Sequence, residues 1–247
     1  MEPVTANPTR SAVRTTHLVG VGVDLDGTLM DHAASADTAA RSWAEECGWP
    51  ASVTAAAWAE AERTHFPHFT TGAITFQEQR RRRVHDTLIA VGEHPQAHDL
   101  DELFSRYLRH YETSWTAYPD AARFLDALRG ADLRIGVLTN GQREQQEAKL
   151  RAIGLYDAVD VVVASSDLPA GKPDTRAFEA LCRALDTLPT VTAYIGDVVS
   201  SDVAGATAAG LPAVWLNRLH VNGDGQWPQV PSLDAALDWL GVTGTAR

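Results

Sequence analysis

Short apolar runs alternate with longer amphipathic stretches along most of this chain. Five of the apolar runs predict buried strands, the first because its β-branched residues pack well on a pleated surface that is covered on both faces. Proline near the start or glycine after the end marks most of the helical stretches. The alternation predicts an α/β fold with a mostly parallel sheet between helices. The predicted strands are residues 18–23, 134–138, 159–164, 191–195 and 213–216, and the helices beside them are residues 119–128, 142–153, 174–185, 199–209 and 232–240.

The stretch between the first two strands interrupts this alternation. It contains no convincing strand and predicts four helices, with Thr75 and Glu78 as a capping box for the third and Asp99 as N-cap of the fourth. This helical stretch is longer than an ordinary crossover between two parallel strands. We therefore expect an inserted helical domain. The four helices are predicted at residues 35–47, 52–63, 76–91 and 100–115. The predicted domains are a flexible tail at residues 1–16, a core at residues 17–32 and 117–247, and the insertion at residues 33–116.

Composition and charge exclude several classes of function. The chain has 247 residues, of which 45% are hydrophobic, and its net charge of −11 argues against binding to a nucleic-acid backbone. No apolar run approaches the ~18–20 residues that span a membrane, and residues 1–14 lack the apolar region of a secretory signal. Cys47 and Cys182 fit no metal-site spacing and predict buried free thiols, so we expect a cytoplasmic protein. The sequence pattern does not indicate which oligomeric state the protein adopts.

Polar residues follow four of the predicted strands. Ligands of parallel sheets bind beyond the carboxyl ends of the strands, so these residues are expected to meet there. Each has an ordinary explanation when taken alone: a loop or helix cap, a solvated cation, a turn, or an acid at the positive end of a helix. Their joint occurrence at successive strand ends favours a functional site instead. They are Asp24, Asp26 and Thr28 after the first strand, Thr139, Asn140 and Gly141 after the second, Lys172 after the third, and Asp197 and Asp202 after the fourth.

This set suits a divalent cation and a phosphate held against a carboxylate nucleophile. Mg²⁺ prefers oxygen ligands, which the side chains of Asp24 and Asp197 and the backbone carbonyl of Asp26 would supply. Asp24 is the candidate nucleophile, which would form an aspartyl-phosphate, and Asp26 is placed to protonate the leaving alkoxide and then to activate water. Asp202 would support the site. The remaining candidates would bind the phosphate through an ammonium, hydroxyls and backbone amides: Lys172, Thr28, Thr139, Asn140 and Gly141.

In this order the motifs resemble those of the haloacid dehalogenase (HAD) superfamily. The resemblance covers about residues 18–217 and rests on Asp24-Leu-Asp26-Gly-Thr28, Thr139, Lys172-Pro173, and Gly196-Asp197 with Asp202. It implies a Rossmann-like parallel sheet covered by helices on both faces, with an inserted α-helical cap domain. The insertion resembles the type I cap, which closes over the site and excludes water.

The resemblance also bears on the reaction. Relatives that act on carbon–halogen or carbon–phosphorus bonds lack an aspartate at the position of Asp26, so its presence favours a Mg²⁺-dependent phosphatase acting on a small phosphorylated metabolite. A phosphomutase with the same cap type, a dehalogenase and a non-catalytic HAD-like binding protein remain as alternatives. The stretch from Leu138 to Gln142 looks most like nucleotide 5′-monophosphatases and acylneuraminate 9-phosphatases, and phosphoglycolate phosphatases are similar. The metabolite therefore stays open.

The predicted insertion holds the candidate selectors of substrate. Four consecutive arginines at residues 80–83 point nearly all round a helix, so we expect most of them to be solvated or paired with acids such as Glu78 and Asp86. One or two are free to hold a second anionic group. Three further candidates are predicted to lie in a loop between the second and third helices of the insertion: His65, His68 and Phe69.

Overall fold

The computed structural model describes residues 17–223 and 225–242, so the tail predicted at residues 1–16 lies outside the described part. The chain divides into two compact units. One consists of Asp31–Thr116, and the other consists of the described parts of Met1–Met30 and Ala117–Arg247. None of the described helices combines the length and the apolarity that a membrane span requires.

The unit Asp31–Thr116 is helical, as the absence of strand patterns predicts. Its core contains aromatic rings, with Trp58 packed at 5.4 Å from Trp43 and at 4.0 Å from Tyr107 between ring centroids. The Thr75 hydroxyl accepts from the Glu78 N–H, and Asp99 accepts two N–H groups of the first turn that follows it, so both predicted N-caps are confirmed. The four helices are α1 (His32–Cys47), α2 (Ala51–Thr70), α3 (Phe76–Val91) and α4 (Leu100–Thr113).

The prediction for the end of α2 is wrong. A helix over residues 52–63 followed by a loop was expected, but the helix continues to Thr70. Pro67 removes only one backbone donor from the last turns, and ring contact between Phe69 and Phe76, at 5.1 Å, stabilises the continuation. The three residues assigned to the loop are therefore helical: His65, His68 and Phe69.

The four arginines of α3 have separate environments. Arg81 pairs with Asp101 at 2.6 Å, and Arg82 pairs with Glu78 at 2.8 Å, as expected of exposed cations. Arg83 is buried and its guanidinium lies 3.2 Å from Glu62. Arg80 lies over the rings of two aromatic residues, Phe76 and Phe104.

The other unit is built on a parallel sheet, which confirms the α/β prediction. In the described residues the strand order is β3-β2-β1-β4-β5-β6, and every neighbouring pair is parallel. The central strand β1 is buried along its whole length, as its apolar composition predicts. The strands are β1 (Gly20–Val23), β2 (Arg134–Thr139), β3 (Val161–Ala164), β4 (Thr192–Gly196), β5 (Ala213–Leu216) and β6 (Gln229–Val230).

Two features of this unit differ from the sequence prediction. Strand β6 was not predicted, because a two-residue strand beside Pro228 carries no periodicity and its pairing with β5 is a long-range event. The helix predicted over residues 199–209 is divided into a wide π-helical turn at Val199–Val203 and a short α8. The remaining helices follow the predicted order and are α5 (Ala121–Gly130), α6 (Arg143–Ala152), α7 (Thr175–Leu185), α8 (Ala204–Ala208) and α9 (Leu233–Leu240).

The two cysteines are free. Cys182 is buried, as predicted, whereas Cys47 is only partly buried.

Candidate active site

The parallel register brings the predicted residues to one edge of the sheet. Val23 of β1 lies opposite Val137 of β2 and opposite Ile195 of β4, so these three strands end at nearly the same level. The polar residues that follow each strand therefore meet beyond their carboxyl ends, as the topology predicts.

Lys172 connects two of the carboxylates at the centre of the site. Its ammonium, with a side chain only 4% exposed, donates to Asp24 Oδ1 and, at 2.7 Å, to Asp202 Oδ1. It also donates to the Tyr194 hydroxyl at 3.2 Å, and that hydroxyl donates to the Leu138 carbonyl at 3.1 Å. The three protons of the ammonium are thus directed at three acceptors of the protein.

Three carboxylates share this centre. One oxygen from each of Asp24, Asp197 and Asp202 lies within 4.8 Å of the others. Burial raises the pKa of Asp24 well above its usual range, and the neighbouring carboxylates add to this effect against the opposing charge of Lys172. Burial, together with the charge of Asp202, also raises the pKa of Asp197 to about 7. Burial and repulsion between carboxylates therefore disfavour the ionised forms of Asp24 and Asp197, and a bound cation would relieve this.

The donor set fits a hard divalent cation. Carboxylate oxygens are the ligands that such cations prefer, and Asp24 and Asp197 offer them side by side. Asp202 is already engaged, because one oxygen accepts from Lys172 and the other accepts the Val198 N–H at 2.9 Å. The three carboxylates together form a group that could hold such a cation.

The loop after Asp26 is shaped by a glycine. Gly27 has a φ of +88°, and a Cβ at this position would collide with the Asp197 carboxylate, so only glycine fits. The next residue, Thr28, is fully buried and its hydroxyl lies 3.5 Å from Asp197 Oδ1. The sequence predicted Thr28 as a phosphate ligand, and the structure places its hydroxyl against a predicted metal ligand.

The residues predicted to bind phosphate after β2 have protein partners. The Thr139 hydroxyl donates to Gln146 Oε1 at 3.3 Å, and the Gly141 N–H donates to the Ser165 hydroxyl at 2.9 Å. The Asn140 side chain donates to the Lys172 carbonyl and accepts the Lys172 N–H, both at 2.9 Å. Asn140 thus fixes the backbone that carries the central lysine.

The carboxylate of Asp26 forms an ion pair with a lysine of helix α6. Both of its oxygens accept from the Lys149 ammonium, at 2.8 and 2.7 Å. Lys149 is 3% exposed although it belongs to helix α6, on which Gln146 is also buried. Neither residue was predicted from the sequence to belong to the site. The available signal was a pair of polar residues three positions apart on the helix that follows Thr139.

A second contact that was not predicted holds the loop that follows Asp26. The Arg218 guanidinium donates to both oxygens of Asp120 at 2.9 Å and to the Thr28 carbonyl at 3.0 Å. Asp120 also accepts the Leu233 N–H at 3.0 Å, and its carboxylate is 6% exposed. Despite the opposing effect of burial, the bonds from Arg218 and from the Leu233 N–H hold the pKa of Asp120 below its usual value.

Comparisons with known proteins agree with this architecture. Phosphoserine phosphatase of Thermus thermophilus is 34% identical over 71% of this chain and 68% of its own length, and phosphoglycolate phosphatase of Cereibacter sphaeroides is 34% identical over 78% and 82%. 2-Haloacid dehalogenases are also among the relatives. The HAD-hydrolase YfnB from Bacillus subtilis, solved bound to magnesium, has the same fold, with a TM-score of 0.80 and 22% identity over 92% of this chain and all of its own.

A family model provides the most direct assignment. The model of the haloacid dehalogenase-like hydrolases matches residues 20–210, a span that includes every site residue predicted from the sequence. The helical stretch α1–α4 is inserted between β1 and β2, as in members with an inserted cap. This chain therefore belongs to the haloacid dehalogenase-like hydrolases.

Proposed function

We propose that the protein is a Mg²⁺-dependent phosphatase that hydrolyses a small phosphorylated metabolite through an aspartyl-phosphate on Asp24. The observation that carries the proposal is the position of Asp24, which is buried between Lys172 and the carboxylate of Asp197. A carboxylate held beside an ammonium and a cation site can approach a phosphate dianion, because both positive charges reduce the repulsion.

The side chains of Asp24 and Asp197 and the backbone carbonyl of Asp26 would hold Mg²⁺. When bound, the cation supplies positive charge that neutralises the phosphate oxygens. Lys172 contributes its ammonium to the same phosphate by exchanging one of its protein acceptors for a phosphate oxygen. Further phosphate contacts are assigned to the hydroxyls of Thr28 and Thr139 and to the amides of Asn140 and Gly141, with the Thr139 hydroxyl and the Gly141 N–H exchanging Gln146 and Ser165 for phosphate oxygens.

Asp26 is assigned the proton transfers. It protonates the leaving oxygen as Asp24 attacks phosphorus, and it then accepts a proton from the water that hydrolyses the aspartyl-phosphate. The contact of both its oxygens with Lys149 supports this division of work, because it holds the Asp26 carboxylate in a defined position.

The related proteins support phosphoryl transfer but leave a second candidate. Phosphoserine and phosphoglycolate phosphatases are among the relatives, and so are 2-haloacid dehalogenases. A dehalogenase would displace halide from a 2-haloacid at Asp24 and would need no proton donor for the leaving group. The aspartate at position 26 therefore favours the phosphatase. A phosphomutase remains a further alternative and would return the phosphoryl group to a second position of the same substrate.

A panel of phosphomonoesters and 2-haloacids tests these alternatives. We expect phosphate release from one phosphomonoester with a much higher kcat/KM than from the others, loss of release with EDTA, and no halide release. Asp24→Asn should reduce turnover by at least about 10³-fold, because it removes the nucleophile. Asp234→Asn is the matched control, since Asp234 is half-exposed and paired with Arg123.

Two results would contradict the proposal. Full phosphate release by Asp24→Asn would exclude Asp24 as the nucleophile, and halide release without phosphate release would establish the dehalogenase. Phosphate moved within the substrate without release would identify a phosphomutase.

A further inference from the structure

The ion pair between Asp26 and Lys149 belongs to the buried cation contacts described in this unit, together with those of Lys172 and Arg218. Most arginine and lysine pairs here are exposed, whereas the Lys149 side chain is 4% exposed and reaches both oxygens of one carboxylate. A buried ammonium loses its hydration, so a lysine at this position is unfavourable unless a negative charge faces it. The carboxylate of Asp26 is 27% exposed, so reacting groups can reach it.

Helix α6 links this ion pair to the rest of the site. Gln146 lies three residues before Lys149, on the same side of the helix, and accepts from the Thr139 hydroxyl at 3.3 Å. Since α6 begins directly after the loop that contains Asn140 and Gly141, a single rigid element carries contacts to the acid/base residue and to the predicted phosphate ligands. This arrangement places the ammonium in a fixed position relative to Asp26.

We infer that Lys149 is a positioning residue that holds the Asp26 carboxylate for proton transfer; this inference rests on the proposed function. In the first step the bond from Asp24 to phosphorus forms, the bond to the leaving oxygen breaks, and the proton that Asp26 keeps from the water of the preceding turnover passes to that oxygen. Negative charge then appears on Asp26, next to the ammonium. In the second step water attacks phosphorus, its proton returns to Asp26, and the bond to Asp24 breaks, which releases inorganic phosphate.

The inference predicts a dependence on the leaving group. An alkyl phosphate needs a proton on its leaving oxygen, whereas the nitrophenolate of p-nitrophenyl phosphate leaves without one. Because kcat/KM includes only steps up to the first irreversible one, it isolates transfer to Asp24. In Lys149→Met, which keeps the length of the side chain, we expect kcat/KM to fall about 10- to 100-fold for an alkyl phosphate and less than about 3-fold for the aryl phosphate.

A control on the same helix separates this effect from damage to α6. Arg151 is half-exposed and pairs with Glu147, so Arg151→Gln removes a cation from α6 outside the site. We expect it to leave both kcat/KM values unchanged. Equal losses for the two substrates in Lys149→Met would overturn the inference, because they would indicate a general disturbance of the site.

A double-mutant cycle tests the inference independently of substrate choice. If Lys149 acts through Asp26, then Lys149→Met has no further effect on kcat/KM in an Asp26→Asn background. Urea unfolding of the same four proteins, free of metal, should show coupling between the two residues. An undiminished effect of Lys149→Met in the Asp26→Asn protein, or the absence of coupling in unfolding, would overturn the inference.

Different results would refute the proposed function and the role of Lys149. A wild-type protein that hydrolyses neither phosphate ester refutes the phosphatase assignment, and the role of Lys149 falls with it. A wild-type protein that hydrolyses both, with variants that lose both equally, refutes only the role of Lys149.

Discussion

The Tyr194 hydroxyl lies 3.2 Å from the Lys172 ammonium and donates to the Leu138 carbonyl at 3.1 Å. Tyr194 is fully buried in β4, where its ring packs so closely on β1 that a Cβ at Gly22 would collide with it. The hydroxyl therefore has a fixed position inside the sheet. It completes the set of acceptors that hold Lys172 beside Asp24 and Asp202.

Tyr194→Phe removes only this hydroxyl and should weaken the hold on Lys172. The change leaves the buried Leu138 carbonyl without the Tyr194 donor, so we expect a loss of about 1–2 kcal/mol in the free energy of unfolding. We also expect a several-fold decrease in kcat, because Lys172 gains freedom to move. Urea unfolding and steady-state kinetics measure the two effects. A variant with wild-type kcat would show that the other two acceptors suffice to hold the lysine.

Metal binding should strengthen as the pH rises. A carboxylate must lose its proton to bind the cation, and the pKa of Asp197 is raised to about 7 in the metal-free site by burial and by Asp202. Because this value lies above that of the unfolded chain, the protonated group stabilises the metal-free fold at low pH, and this contribution is lost as the pH rises from about 4 to about 7.

The stabilisation that bound Mg²⁺ gives to the fold should increase as the pH rises. We expect the increase in Tm on adding Mg²⁺ to be larger at about pH 8 than at about pH 5. Thermal unfolding with Mg²⁺ and with EDTA at both pH values measures it. An increase that does not depend on pH would contradict the role of Asp197 as a ligand that must first lose a proton.

Gly27→Ala should impair the site more than the fold. The φ of +88° disfavours alanine, and the added methyl would collide with the Asp197 carboxylate, so the predicted metal ligand must move. We expect a loss of Mg²⁺ affinity and of activity together with a loss of about 1–3 kcal/mol in stability.

Gly130→Ala is the matched control for this change. Gly130 ends helix α5, and a Cβ there meets no neighbouring atom within 4 Å. We expect its stability to stay within about 1 kcal/mol of wild type and its Mg²⁺ affinity to be unchanged. Equal effects of the two substitutions would refute a specific role for Gly27.

Arg218→Gln should destabilise the loop that follows Asp26. The change leaves the Asp120 carboxylate, which is 6% exposed, without its cation and removes the bond to the Thr28 carbonyl. Breaking a buried pair in this way costs about 3–5 kcal/mol. Arg123→Gln breaks an exposed pair with Asp234 and should cost less than about 1 kcal/mol. Urea unfolding of both variants measures the two losses in free energy of unfolding. Equal losses would contradict the larger contribution of the buried pair.

Local patterns were sufficient for most of the fold. Apolar runs identified five of the six described strands, because buried parallel strands need continuous apolar sequence. Capping residues identified the starts of α3 and α4. Patterns failed where tertiary contacts override local preference. Helix α2 passes through Pro67, and the two-residue strand β6 exists because β5 offers it an edge.

The order of strands and polar residues along the chain was enough to predict that the motif residues gather at one edge of the sheet. A parallel sheet brings the ends of its strands to one edge, so Asp24, Thr139 and Asp197 converge whatever the details of packing. The pairing of individual side chains, in contrast, is visible only in the folded chain. Lys149 reaches Asp26 across 123 positions of sequence, and Arg218 reaches Thr28 across 190. Such pairs depend on how α6 and the segment after β5 pack on the sheet. A local pattern carries no information about a partner so distant in the chain.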